Sequence, residues 1–149
     1  MNRHPYVRAY MAGISVPTPL LLVALTVFTI ARFVYNVPVP IERVIIFPMA
    51  VIPNLFGLWN VFHLASRSHT RLPLGIHGAI LPFLLLPLGY LLGRCLGFLQ
   101  PTTDGFVKFG LVHVHYAHVA LIFPVVLIFY YLVWKYLVGF FNRVVGIAE

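Results

Sequence analysis

Three histidines lie within the six residues His113-Val114-His115-Tyr116-Ala117-His118, and they are the most unusual chemical feature of the sequence. Imidazole is a common ligand for zinc, copper, iron and nickel. On a continuous helix His115 and His118 share a face, whereas His113 lies about 160° away from His115. The three rings therefore converge only if the helix begins near His115 and His113 is extended. Asp104 is expected at the same membrane face, so the candidate metal ligands are His113, His115, His118 and Asp104.

Two other interpretations of these histidines stay open. Counting back about 20 residues from the aromatic Trp134 places His115 near a membrane interface, with His118 one turn inside. The group is then either an interfacial hydrogen-bonding cluster or part of a proton or solute pathway. A haem held within one chain is not expected, because His77 and His118 would differ in depth by more than about 10 Å.

A second polar face lies on one predicted helix, where Gly57, Asn60, His63 and Arg67 fall within an arc of about 120°. Asn54 lies at the edge of this arc. Asparagine in a membrane span needs a hydrogen-bonding partner on another helix, because lipid offers none. The face therefore either joins helices or lines a small polar cavity. The cavity candidates are Asn54, Asn60, His63 and His118.

Two arginines, Arg67 and Arg71, lie in the loop that follows this face, close in sequence to His63, His69 and His77. Two guanidinium groups disfavour a bound cation and favour an anionic lipid headgroup or a phosphate.

Three glycines at four-residue spacing, Gly89, Gly93 and Gly97, predict a groove in which another helix backbone approaches closely. The partner is either another helix of the chain or another subunit. The single cysteine, Cys95, is expected to be a small buried residue.

The composition indicates the elements that must position these residues. Of the 149 residues, 61% are hydrophobic and 9% are charged, and the mean hydropathy is +0.96. Soluble domains average about 45–50% apolar and about 25% charged residues. One cysteine excludes a scaffold of internal disulfides, and the apolar content excludes a disordered chain. The lipid bilayer is therefore the expected surrounding.

The predicted fold class is all-α, with four antiparallel transmembrane helices, short loops and a single domain. A span needs about 20 mostly apolar residues, and a helix satisfies its own backbone in lipid. Short connections force neighbouring spans to run antiparallel. The predicted spans are residues 16–35, 44–64, 76–98 and 114–137.

Basic residues flank the predicted spans, and the chain carries a formal charge of +7. They form no cluster, so nucleic-acid binding is not expected. One side of the membrane receives Arg3, Arg8, Arg67, Arg71, Lys135 and Arg143, and the other receives Arg32, Arg43, Arg94 and Lys108. Six against four weakly favours cytoplasmic termini, in a membrane of the prokaryotic inner or plasma type.

Three hypotheses for function follow. The first is non-enzymatic binding or passage of a small solute or lipid in a helix-lined polar cavity. The second is a histidine-ligated metal or redox membrane subunit. The third is a structural or assembly subunit of a homo-oligomer or larger membrane complex. A non-enzymatic role is favoured, because no span holds an acid pair and no phosphate-binding glycine motif is present.

Overall fold

A computed structural model describes residues 4–38, 41–97, 99–108, 110 and 112–147, with the side chains of residues 43 and 44 excepted. Arg3 and Phe98, which entered the orientation and span predictions, lie outside these ranges. The protein is mostly helical. The helices are α1 (Pro5–Ile14), α2 (Pro17–Phe33), α3 (Phe47–Ser66), α4 (Leu74–Cys95), α5 (Tyr116–Leu132) and α6 (Gly139–Val144). The strands are β1 (Leu99–Pro101), β2 (Gly105–Lys108) and β3 (Val112–His115).

Within the described ranges, four helical stretches are long and apolar enough to cross a membrane. They are Pro5–Phe33, Phe47–Ser66, Leu74–Cys95 and Tyr116–Val144. Two of them are made of successive segments. A turn at Ser15 and Val16 separates α1 from α2, and the π-helical segment Val133–Val138 joins α5 to α6. Every residue of α5 is described and none is buried. Such exposure of apolar side chains suits lipid as the solvent.

The first of two compact units comprises Met1–Leu72 and Tyr136–Glu149. Here α1 packs closely against α3. A Cβ on Gly13 would lie 2.5 Å from the carbonyl oxygen of Phe56 and 2.7 Å from the Cα of Gly57. Only a glycine allows two helix backbones to approach this closely. The helices α1 and α3 are therefore in tight backbone contact at Gly13 and Gly57.

The second compact unit is Pro73–Lys135. The start of α4 packs against the end of α5 and the segment after it, since a Cβ on Gly78 would lie 2.0 Å from Trp134 Cγ. Farther along, Phe83 and Phe123 meet edge to face with ring centroids 5.0 Å apart. The two helices thus run antiparallel. At the opposite end of α4 the chain forms an antiparallel sheet of order β1-β2-β3.

The structure corrects the predicted fold class and the span limits. An all-α chain was expected, but residues 99–115 contain the sheet. The first helix begins at Pro5 rather than residue 16, with Pro17 tolerated because the first turn of a helix needs no internal N–H partner. The helix at the third predicted span, α4, ends at Cys95 because Gly97 adopts a left-handed conformation, φ +72°. The helix at the second predicted span covers residues 47–66, and the helical stretch at the fourth begins at Tyr116 and continues to Val144.

Candidate metal centre

The sheet places two of the three predicted histidines on one face. His113 and His115 are two residues apart on β3, and alternate residues of a strand point to the same side. The helix begins directly after His115, whose backbone is extended. The histidine rings are expected to converge only if the helix begins near His115 and His113 is extended, and the structure has both features. The ring centroids of His113 and His115 lie 4.4 Å apart.

Asp104 meets both imidazoles from the turn between β1 and β2. Its Oδ1 lies 3.3 Å from His113 Nε2, and its Oδ2 lies 2.9 Å from His115 Nδ1. We call Asp104, His113 and His115 the Asp–His cluster. One ligand atom from each of the three residues lies within 4.8 Å of the other two, and all three residues are exposed.

The backbone fixes the position of Asp104. Gly105 pairs with His115 in the register of β2 and β3. A Cβ on Gly105 would lie 2.1 Å from the carbonyl oxygen of Val114, so only glycine permits this approach of the strands. The carbonyl oxygen of Asp104 also accepts a hydrogen bond of 3.0 Å from the backbone N–H of Tyr116, the first residue of α5. The carboxylate is thereby held beside the histidines.

Thr102, which was not among the predicted site residues, contacts two residues of the Asp–His cluster. Its hydroxyl donates to Asp104 Oδ1 over 3.2 Å and lies 3.1 Å from His113 Nε2. Desolvation raises the pKa of the Asp104 carboxyl. The Asp104 backbone N–H, the Thr102 hydroxyl and the two histidines together outweigh this effect and leave the pKa below its usual value. The carboxyl is therefore an anionic ligand at neutral pH.

His118, predicted as a metal and cavity residue, lies beside the cluster rather than among its three converging ligand atoms. Its ring centroid is 5.5 Å from that of His115. His118 lines a groove of about 340 Å³ between α4 and α5. Leu85, Leu86, Val114, Val119 and Ile122 also line this groove.

The predicted polar face of α3 is buried as a unit that includes Gly57, Asn60 and His63. Asn60 donates 2.8 Å hydrogen bonds to the carbonyl oxygen of Ala9 and to Asn142 Oδ1, and the Asn142 amide donates back over 3.3 Å. Asn54 is exposed, accepts from the Tyr10 hydroxyl and donates to the carbonyl oxygen of Ala50. The bonds of Asn60 to Ala9 and Asn142, and that of Asn54 to Tyr10, connect helices, whereas the Asn54–Ala50 bond lies within α3. Whether the face also lines a cavity stays a prediction.

The remaining predicted residues are dispersed. Arg67 is half-buried and Arg71 is exposed, and headgroup binding by this pair stays a prediction. Gly89 is exposed with open space around it, whereas a Cβ on Gly93 would lie 2.6 Å from the Leu99 side chain. Gly97 lies beyond the helix, so the three glycines do not form one helical groove. Cys95 is exposed, which corrects the expectation of burial.

Comparison of the chain with protein families, with curated proteins and with solved structures finds no match. The fold and site define the chain as a mostly helical protein with four helices of membrane-spanning length and an exposed Asp–His cluster on a small sheet.

Proposed function

We propose that this chain is an integral membrane protein that binds a divalent transition-metal ion with Asp104, His113 and His115, on a sheet outside its spans. The observation that supports this is the convergence of three ligand atoms of the right chemistry, all within 4.8 Å of one another. Two come from one strand and the third comes from a turn that the sheet register brings alongside.

The spacing suits a first-row metal ion. Zinc binds imidazole nitrogen and carboxylate oxygen at about 2.0–2.2 Å, so the ligand atoms of a tetrahedral site lie about 3.3 Å apart. The two Asp–His distances are 3.3 Å and 2.9 Å. Nitrogen donors disfavour magnesium and calcium, which prefer oxygen. The two Asp–His distances run to two different oxygens of the Asp104 carboxylate, and single ligand atoms of the three residues lie within 4.8 Å of one another. The side chains must therefore adjust to bring one ligand atom each to the spacing of an ion.

The proposed site leaves coordination positions open. Three protein ligands plus water is the pattern of catalytic zinc sites, whereas structural zinc sites have four protein ligands. A two-histidine, one-carboxylate set with open positions is also used by non-haem iron. The site is thus suited to an exchangeable ion or to an ion that binds a further ligand.

Cobalt binding tests this proposal, because Co²⁺ reports its coordination in the visible spectrum. Protein purified with a histidine-free tag and placed in nanodiscs is expected to bind one Co²⁺. Asp104→Asn is expected to weaken binding by roughly tenfold or more, and His113→Gln with His115→Gln to abolish it. The matched control is His69→Gln, since His69 is also exposed and bonds a hydroxyl, that of Ser68.

Two results would overturn the proposal. Wild-type protein that takes up no stoichiometric Co²⁺ or Zn²⁺ would reduce the Asp–His cluster to a hydrogen-bonded group on the surface. Equal loss of binding in His69→Gln would show that the ion binds histidines without regard to the cluster.

We further propose that both termini face the cytoplasm of a prokaryotic-type membrane, which places the sheet outside. The Lys/Arg difference between the two sides supports this orientation. In a Cys95→Ser background, Thr103→Cys is expected to react with a membrane-impermeant maleimide in intact cells. Ser68→Cys, in the loop between the second and third spans, is expected to react only after permeabilisation. The reverse pattern would invert the orientation.

A further inference from the structure

The groove between α4 and α5 comes closest to the Asp–His cluster at His118, and no residue of the cluster lines it. Val114, one of its lining residues, points to the side of β3 opposite His113 and His115. His118, another, has its ring 5.5 Å from that of His115. From this polar end the lining continues to Tyr130, twelve residues along α5, or about 18 Å of helix.

The rest of the groove is apolar. Leu85 and Leu86 line it from α4, and Val119 and Ile122 line it from α5. Its volume of about 340 Å³ lies within the range of small-molecule sites, about 300–1,000 Å³. Both helices have membrane-spanning length and hydropathy, so the groove is accessible to molecules that dissolve in lipid.

Charge at the polar end favours an anionic head. Asp104 is the only acidic residue between residues 73 and 135. Of the three basic residues in that segment, Arg94 and Lys108 lie at the sheet end, whereas Lys135 lies beyond the opposite end of α5. A divalent ion on one carboxylate and two neutral imidazoles leaves a net positive site. A carboxylate oxygen is a ligand that such an ion accepts in an open position.

We propose that this groove binds a single-chain amphiphile with a carboxylate head, of the fatty-acid class, whose chain lies between α4 and α5 and whose head ligates the metal ion. This inference rests on the proposed metal site and names the ligand class of that site.

The test follows the Co²⁺ spectrum in nanodiscs during titration with sodium dodecanoate or sodium acetate. Dodecanoate is expected to change the spectrum at a concentration at least roughly tenfold lower than acetate, because chain burial adds to head coordination. Ile122→Trp fills the groove and is expected to remove most of this advantage. Leu121→Trp adds the same bulk at a neighbouring exposed position outside the groove lining and is expected to preserve it. Partition of dodecanoate into lipid is the same for both variants.

Each outcome decides between the two proposals. Dodecanoate preference in wild type and Leu121→Trp, with loss in Ile122→Trp, supports the inference. Bound Co²⁺ with no preference for the longer chain, or with the same preference in Ile122→Trp, overturns the inference and leaves the metal site intact. Absence of a Co²⁺ spectrum overturns the metal site and this inference with it.

Discussion

Polar side chains lie in both compact units, but their surroundings differ. Asn60 is 1% exposed, and its amide is occupied by Ala9 and Asn142. The side chain of His115 is 46% exposed and converges with two other ligand residues. Polar residues near apolar helices therefore occur in two settings. Saturated amides connect helices, whereas exposed titratable groups that point at one another are candidates for a binding site.

The two units also differ in how far their tight helix contacts lie from their polar side chains. In the first unit, the glycine contact of α1 and α3 and the Asn60 amide occupy the same helix face. In the second, α4 packs tightly at Gly78 against Trp134 of the π-helical segment after α5, at the end away from the sheet. The Asp–His cluster lies outside this contact.

The largest expected effect is at the glycine contact of the first unit. Gly13→Ala places a methyl group within 2.5–2.8 Å of backbone atoms of Phe56 and Gly57, which cannot rotate away. Overpacking of this kind costs about 1–3 kcal/mol and sometimes more. A reduced unfolding free energy by that amount is expected in SDS titration of the purified protein.

Gly89→Ala is the matched control for that substitution. No atom lies within 4 Å of a Cβ built on Gly89, so the change is expected to stabilise the helix by about 0.5–1 kcal/mol. The unfolding free energy is therefore expected to fall in Gly13→Ala and to rise in Gly89→Ala. A loss of stability at Gly89 would instead indicate that a second subunit covers it, as the assembly hypothesis expects.

The sequence predicts the four apolar helices because a run of about 20 apolar residues has few alternatives. It also predicts that His113 must be extended for the histidines to converge. The sheet was missed because residues 106–138 form one nearly continuous apolar run. Local signals were present: the Asp104-Gly105 pair is typical of a hairpin turn, and Val112–His115 alternates apolar and polar residues as strands do.

Partners distant in sequence could not be predicted. An asparagine in a span requires a partner, but Ala9 and Asn142 are separated from Asn60 by 51 and 82 positions. Spacing along one helix carries no information on such pairings, since they depend on how α1, α3 and α6 pack. The same holds for the contact of Thr102 with His113, eleven positions away, which depends on how the strands pair.

A smaller effect is expected at Thr102, and it is confined to the proposed metal site. Thr102→Val preserves the shape of the side chain and removes the hydroxyl that donates to Asp104. Groups that orient metal ligands typically contribute tenfold or more to affinity, so about a tenfold weaker Co²⁺ affinity is expected, or about 1.4 kcal/mol. Thr103→Val, at the exposed neighbour, is the control. Equal affinities in the two variants would remove Thr102 from the site.

A smaller effect on average than at Thr102 is expected at the buried amide pair, where it tests the contrast between the two units most directly. Asn60→Leu leaves the amide of Asn142 without its partner, and so does the converse Asn142→Leu for Asn60. Hydrogen bonds between membrane helices contribute about 0.6 kcal/mol on average and up to about 1.7 kcal/mol. Each single variant is expected to lose stability in that range without change in Co²⁺ affinity. The double variant is expected to recover part of the loss, because replacing both partners by apolar groups leaves neither amide of the pair unsatisfied. If the single variants instead keep full stability, the amides do not hold the helices together, and the polar cavity predicted for this face becomes the better explanation of Asn60.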